Sequence, residues 1–146
     1  MREINFIESC NPPKATAQGS NTILRTRSGR QFVGKKSTSK GKSAQDFWYY
    51  LLSQHRPDLP LEGPIRLDLI LHFPHNKSAR KNVKDSIIYH TTQPDADNLS
   101  KLILDVGTRL GYWHDDSQIC DLNVRKFRSP SPGVAFRASE LKELME

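Results

Sequence analysis

Residues 65–73 constrain the fold of this chain more than any other segment. Five large apolar residues alternate there with four others, in the order Ile65, Arg66, Leu67, Asp68, Leu69, Ile70, Leu71, His72 and Phe73. A repeat of two predicts a β-strand with one buried face, and Pro74 ends it because proline cannot donate a ladder hydrogen bond. The chain must therefore build a sheet and cover one side of it with a second layer.

Residues 97–110 predict the best helix. On a helical wheel the apolar side chains gather on one side, namely Leu99, Leu102, Ile103, Val106 and Leu110. Asp97, Lys101 and Asp105 follow at intervals of four and form a polar stripe nearly opposite. Gly111 stands where a helix C-cap favours glycine. We expect this helix to bury its apolar side against the sheet.

Weaker patterns predict the remaining elements. Strands are expected at residues 4–8, 120–124 and 134–137, and a hairpin at residues 23–26 and 31–33 around Ser28 and Gly29. Ser43 is expected to cap a helix that Pro57 stops near Arg56, and Ser139 to cap a short C-terminal helix. Strands and helices mix without a regular βαβ repeat. The prediction is a single α+β domain over residues 1–146, with a small mixed sheet and two main helices.

Trp48 and Tyr49 are candidates for the exposed face of the helix after Ser43. They could stack on bases or pack in part against a neighbouring element, and the sequence favours packing.

The charge balance points toward a polyanionic partner. Lys and Arg number 22 against 16 Asp and Glu, a net charge of +6 with a pI of about 9.5. Such a surface attracts nucleic acid, although a merely soluble surface fits equally well. Basic residues concentrate in residues 25–42 and 76–93, which we expect to be mobile loops. The first candidates for phosphate contacts with such a partner are in the second loop, where a solvated role is about as plausible: Lys77, Arg80, Lys81 and Lys84.

The cysteines and the lack of long apolar runs indicate the cellular compartment in which the protein acts. Cys10 and Cys120 are 110 residues apart, which suits two reduced thiols better than a zinc site or a disulfide framework. No apolar run approaches the roughly 20 residues of a membrane span, and the first residues lack the apolar core of a signal peptide. The expectation is a cytoplasmic protein without a membrane partner.

The chemistry-bearing residues are acidic. Asp95 and Asp97 stand two positions apart at the start of the long helix, and Asp115 and Asp116 follow Gly111, Tyr112 and Trp113. Grouped carboxylates repel one another unless a cation joins them, and oxygen ligands suit Mg²⁺ or Mn²⁺ rather than zinc. Asp116 can meet Asp97 only if the following strand runs back along the helix, or if a partner chain supplies the contact.

An alternative reading of these residues is structural. Aspartate and lysine at helical spacing usually form a solvated face with weak ion pairs. Asn98 could orient a ligand carboxylate or bond the start of the helix. His90 and His114 flank the acidic residues and could act as ligands or acid-base groups, although simple neighbours are more common.

The run Pro94-Asp95-Ala96-Asp97-Asn98-Leu99-Ser100-Lys101, with Asp105 and then residues 111–119 (GYWHDDSQI), resembles the signature of the RusA family of Holliday-junction resolvases. That signature is Asp-x-Asp-Asn-Leu-x-Lys on a helix, then an aromatic residue, Asp-Asp, a small residue, Gln and an aliphatic residue. The match covers about 25 residues closely. The strand at residues 65–73, the basic loop before Pro94, and Lys126 fall in comparable places.

The resemblance implies a homodimer that binds four-way DNA junctions and cuts two strands symmetrically with Mg²⁺, for which Mn²⁺ is expected to substitute. Asp95, Asp97 and Asp116 would bind the metal, with Asp115 as a further candidate, and Lys101 would be the catalytic lysine. A bacterial or phage recombination setting is expected, with the protein on the nucleoid. Residues 25–42 and 76–90 look longer than the family minimum.

Two other functions remain. A branched-DNA-binding protein without catalysis would keep the basic loops and lose the metal, which the intact carboxylates and Lys101 argue against. An RNA-binding or protein-interaction module rests on charge alone.

Overall fold

The computed structural model describes residues 1–16, 20–36, 39–142 and 144. It is an α+β fold, as predicted. The strands are β1 (Glu3–Ser9), β2 (Ser20–Arg25), β3 (Gln31–Lys36), β4 (Ile65–Phe73), β5 (Ile88–Tyr89), β6 (Ile119–Arg128) and β7 (Gly133–Glu140). The helices are α1 (Ser39–Ser53), α2 (Lys81–Lys84) and α3 (Ala96–Arg109), with a 3-10 helix at Asp116–Gln118.

Strand β4 lies at the centre of a five-stranded sheet in the order β1-β7-β4-β6-β5. It pairs in parallel with β6 and antiparallel with β7, so the sheet is mixed, as expected. Residues Leu67, Leu69 and Leu71 of β4 are essentially inaccessible to solvent. The alternation in the sequence therefore indicates a strand that is buried on one side. The predicted bounds of this strand are confirmed.

Helices α1 and α3 pack against each other and cover one face of the sheet. The five apolar residues predicted on one side of α3 are all buried. From α1 come Ala44, Trp48, Leu51 and Leu52. All these side chains join those of β4 and β7 in one core. The described residues leave the opposite face of the sheet open, since Arg66, Asp68, Ile70 and His72 of β4 are exposed or half-buried there.

Strands β2 and β3 form the predicted hairpin as a separate two-stranded sheet. The turn between them contains Gly29 with φ of 84°, a left-handed conformation that favours glycine. The expected basic loop over residues 25–42 is therefore wrong for its described part, which includes β3 and the start of α1. Basic side chains do not prevent backbone pairing, since the ladder uses only main-chain groups.

Two further sequence predictions need correction. Helix α1 begins at Ser39, before Ser43, because the small residues Gly41 and Ala44 supply its first buried contacts. Ser139 lies in β7 and caps no helix, since β7 extends to Glu140 along β1 and β4. The segment 76–93 contains α2 and β5 and is not wholly loop, and its mobility stays a prediction.

On α1, Trp48 is buried in the core, so its predicted place on the exposed face is wrong. Tyr49 is 47% exposed, as that prediction has it. Both Cys10 and Cys120 are free thiols, as expected. Within the part of the chain that the structure describes, every helix is too short or too polar to cross a bilayer.

The turn after α3 is fixed by buried aromatic residues. The Trp113 indole N–H donates to Thr108 Oγ1 at 2.8 Å, and the Tyr112 hydroxyl donates to the Leu52 carbonyl at 2.6 Å. Gly111 has a φ of 76°, which confirms the predicted C-terminal glycine. This turn directs the chain toward the second acidic pair.

Gly107 permits that arrangement, because a Cβ there would lie 2.5 Å from Trp113 Cζ2. Alanine would gain about 1 kcal/mol of helix propensity but overpack an indole held by its own hydrogen bond. We expect Gly107→Ala to lower the free energy of unfolding by about 1–2 kcal/mol in urea titrations. The exposed Arg109→Ala serves as a control, expected within about 0.5 kcal/mol of the native value. Equal or greater stability of Gly107→Ala would contradict this packing.

Candidate active site

The first acidic pair lies at the N-terminus of α3. Asp95 is extended (φ −67°, ψ 141°) and is the N-cap residue by position, while Asp97 lies in the first helical turn. Asp97 therefore lies inside the helix, which begins one residue before it. Both carboxylates are exposed, and neither is used as a side-chain cap. They remain open to a ligand at the positive end of the helix dipole.

Asn98 acts on the first of these carboxylates. Its amide nitrogen lies 3.3 Å from Asp95 Oδ2 and donates to it. This contact fits both readings of Asn98, since Asp95 is a candidate metal ligand and also the residue at the start of the helix. Lys101 follows one helical turn after Asp97 and is exposed on the same polar stripe.

The loop that leads into Asp95 is held from the end of β6. The Lys126 ammonium donates to the carbonyls of Thr92 at 2.9 Å and Pro94 at 2.6 Å. Arg128 donates to the Pro74 carbonyl at 2.8 Å and to Thr92 Oγ1 at 3.3 Å. Sequence reasoning did not find these positioning contacts, because they join residues more than 30 positions apart.

The second acidic pair has a different environment. Asp115 caps the 3-10 helix, accepting from the Ser117 N–H at 2.9 Å. That hydrogen bond, together with one from Asp116, lowers the pKa of Asp115. The pKa of Asp116 is raised, chiefly by its hydrogen bond to Asp115, with burial and the charges of Asp115 and Asp105 adding to the effect. Asp116 therefore lies near Asp105 on α3.

Gln118 fixes this turn. Its side-chain oxygen accepts from the backbone N–H groups of His114 at 2.7 Å and Asp115 at 3.0 Å. Its amide donates to the carbonyls of Leu61 at 3.2 Å and Gly63 at 3.0 Å. The glutamine of the motif thus holds Asp115 and Asp116 in place, a role that its sequence position did not reveal.

The two acidic pairs do not meet within one chain. Strand β6 does run back toward the start of α3, since Lys126 near its end contacts Pro94. Asp116 precedes the strand, however, and lies at the other end of it, near Asp105. Asp105 lies two helical turns beyond Asp97, about 12 Å along the axis. Among the described residues, no group of three or more Asp, Glu, His or Cys side chains is close enough to hold a metal ion. Asp95, Asp97 and Asp116 of a single chain therefore do not fit a three-carboxylate site, although their oxygen donors suit Mg²⁺.

The two flanking histidines are engaged elsewhere. His90 is buried against the Phe73 ring, and burial together with the charges of Arg128, Lys126 and Lys14 lowers its pKa to about 4. His114 Nε2 lies 2.7 Å from Glu62 Oε1. These contacts favour the reading of both as structural neighbours.

The basic candidates Lys77, Arg80, Lys81 and Lys84 are all exposed, and they lie before β5 in and around α2. One of them is partly engaged, because the Lys84 ammonium donates to the Lys77 carbonyl at 2.9 Å. The others present their charges to solvent on the chain segment that leads to the candidate site.

Fold and site together define a small basic α+β domain with open carboxylates at a helix start, a lysine one turn later, and cationic side chains nearby. This combination is typical of proteins that act on phosphodiesters.

Comparison with known proteins identifies the family. The family described as Endodeoxyribonuclease RusA matches residues 12–137. The chain therefore belongs to the RusA endodeoxyribonuclease family, which confirms the resemblance noted in the sequence.

Three relatives illustrate the range of similarity. The chain is 31% identical to the uncharacterized protein YqaN of Bacillus subtilis (strain 168) over 115 residues, covering 75% of this chain and 80% of that protein. It is 28% identical to the crossover junction endodeoxyribonuclease of Lactococcus phage r1t over 127 residues, covering 86% and 90%. The crossover junction endodeoxyribonuclease RusA of Escherichia coli (strain K12) is 26% identical over 106 residues, covering 73% and 72%.

Proposed function

We propose that this protein is a Mg²⁺-dependent endodeoxyribonuclease that resolves four-way DNA junctions by paired, symmetric cuts. The observation that carries the proposal is the open pair Asp95 and Asp97 at the start of α3 in a member of the RusA family. Two of the three relatives described above bear the name crossover junction endodeoxyribonuclease. The protein would act in recombination and repair on the nucleoid of a bacterial cytoplasm, in a bacterial or phage context.

The chemistry follows from the side chains. Asp95 and Asp97 would hold Mg²⁺, or Mn²⁺ in its place, while Asn98 orients Asp95. The bound ion would supply a Lewis acid for the phosphate and a more acidic water. Lys101 would stabilise the negative charge that develops on the phosphate during attack. Lys126 would keep the loop before Asp95 in position by holding its carbonyl groups.

Because one chain does not bring three carboxylates together, we propose that a second copy completes each site. A two-fold axis between two antiparallel α3 helices would place Asp97 of one copy near Asp116 of the other. The exposed stripe of Asp97, Lys101 and Asp105 leaves α3 free for such an approach. A homodimer also suits a four-way junction, since both have two-fold symmetry.

Basic side chains would hold the DNA arms through phosphates. Lys77, Arg80, Lys81 and Lys84 are the proposed contacts. Each phosphate that they neutralise would steepen the dependence of the binding constant on salt by about 0.9 in log-log slope. This binding is independent of sequence, so preference for a branch must come from shape or from other groups.

The competing function is a branched-DNA-binding protein without catalysis. The absence of a three-carboxylate group within the described part of one chain favours it. Retention of Asp95, Asp97, Lys101 and Asp116 argues against it, since a binder needs none of them in this pattern.

Cleavage of a synthetic mobile four-way junction by the native chain tests the proposal. We expect paired nicks, at symmetric positions in opposing strands, in Mg²⁺ or Mn²⁺ and none in EDTA. A duplex of the same sequence is the substrate control and should stay intact. Tight binding of the junction without nicks in either metal would establish the non-catalytic binder instead.

A further inference from the structure

We propose that an aromatic platform, formed by Tyr89, Phe127 and His72, holds an unstacked DNA base near the β5 edge of the sheet. This inference rests on the proposed DNA substrate and adds a group that would distinguish a branch from a duplex. The platform lies on the open face of the sheet, opposite the helices.

Strand register sets the three rings in a row. Tyr89 of β5 pairs with Phe127 of β6, and Phe127 pairs with His72 of β4. The ring centroids of Tyr89 and Phe127 are 5.1 Å apart with planes at 30°, and those of Phe127 and His72 are 5.3 Å apart at 31°. The inner rings support the outer one, so Tyr89 presents a ring whose orientation is already set.

Tyr89 is the accessible end of this row. It is 75% exposed, and its neighbours Ile87 and Ile88 are 59% and 39% exposed. Contiguous apolar groups on an edge strand are a liability for a monomeric surface and commonly mark a binding site. A planar π-face supported from behind suits a nucleobase, since every base has a face that can stack.

The charges around the platform favour a nucleic acid over an apolar protein partner. The residues that precede β5 include Lys77, Arg80, Lys81 and Lys84, while Asp85 is the single carboxylate between positions 76 and 90. Arg125 is exposed on β6 two residues before Phe127, on the same face of the sheet. A base on Tyr89 would therefore have cationic groups near its flanking phosphates.

The platform has a fixed relation to the acidic motif. The backbone N–H of His90, next to Tyr89, donates to the Lys126 carbonyl at 3.0 Å. The Lys126 ammonium in turn holds the Thr92 and Pro94 carbonyls, directly before Asp95. A base stacked on Tyr89 would thus lie at a constrained offset from the scissile phosphate.

An unpaired or weakly stacked base is the ligand that this geometry selects. In a duplex both faces of each base are covered by neighbours, so binding there requires unstacking. At the branch point of a four-way junction that cost is lowest, because stacking is already interrupted. The platform would therefore strengthen junction binding and leave duplex binding unchanged.

The test compares Tyr89→Ala and Tyr89→Phe with the native protein. Dissociation constants are measured in EDTA for a four-way junction, for the same junction with abasic nucleotides at the branch point, and for a duplex. Tyr50→Ala is the matched control, since Tyr50 is 69% exposed on α1. We expect Tyr89→Ala to weaken junction binding roughly tenfold, with Tyr89→Phe and Tyr50→Ala near the native value. Duplex binding should not change.

The abasic junction isolates the base itself. We expect the native protein to bind the abasic junction roughly tenfold more weakly than the complete junction. Tyr89→Ala should bind the abasic and the complete junction equally well. Equal losses for junction and duplex, or an abasic effect that persists in Tyr89→Ala, would overturn the platform. Dissociation of a native dimer by Tyr89→Ala, seen in sedimentation, would overturn it in favour of a contact between copies. A native chain that neither binds nor cuts junctions would overturn the proposed function, whereas cutting with unaltered binding by Tyr89→Ala overturns the platform alone.

Discussion

Asp97→Asn is expected to lower the rate of junction cleavage at least about 10³-fold, a barrier increase of roughly 4 kcal/mol. The amide keeps the size of the side chain but loses the charge that a divalent cation requires. Because Asp97 is exposed, the substitution should leave the fold unchanged. Junction binding in EDTA should stay near the native value, which separates a chemical defect from a binding defect.

Single-turnover cleavage with excess protein measures this rate without interference from product release. Asp46→Asn is the matched control, since Asp46 is an exposed aspartate on α1 away from the acidic motif. It should cut at the native rate. Full cleavage by Asp97→Asn would remove this carboxylate from the mechanism and, with it, the role given to the start of α3.

Mixed dimers give the second large effect. If each site takes Asp97 from one copy and Asp116 from the other, a dimer of one Asp97→Asn chain and one Asp116→Asn chain keeps one intact site. We expect this mixed dimer to nick one strand of the junction, while both parent homodimers are inactive. The mixed dimer should have about half the native nicking capacity, because one of its two sites survives.

Two affinity tags allow the mixed dimers to be isolated, and separately labelled strands report which one is cut. A native chain paired with Asp97→Asn is the positive control, since one site survives in that dimer under either arrangement. Complete inactivity of the Asp97→Asn and Asp116→Asn mixture, with an active control, would show that each chain builds its own site. A monomer in sedimentation would contradict the arrangement directly.

Local periodicity made much of the fold predictable. The strand at residues 65–73 and the buried side of α3 follow from repeats of two and of about 3.6 residues, which burial imposes directly on the sequence. The sequence did not predict the first residues of α1, because Gly41 and Ala44 contribute little to a hydrophobic pattern although both are buried. The helix predicted after Ser139 was wrong because a serine that suits a helix cap can equally occupy a strand.

The candidate site was predictable as a set of residues but not as an arrangement. Asp95, Asp97 and Lys101 lie within two helical turns, so local geometry relates them. The position of Asp116 depends on where β6 begins and on how it pairs with β4, which are long-range properties. The carbonyl contacts of Lys126 are similarly long-range, and a lysine near a strand end gives no local sign of them.

Strand β6 has a consequence for the spacing of the two incisions. It begins three residues after Asp116 and ends at the residues that hold the loop before Asp95. In a dimer with shared sites, each chain contributes to both reaction centres, so the distance between those centres equals a distance inside one polypeptide. A hydrogen-bonded strand resists stretching, so the backbone of each chain would fix the distance between the two reaction centres. The junction must then adjust to the protein, since its two scissile phosphates have to be brought to that separation.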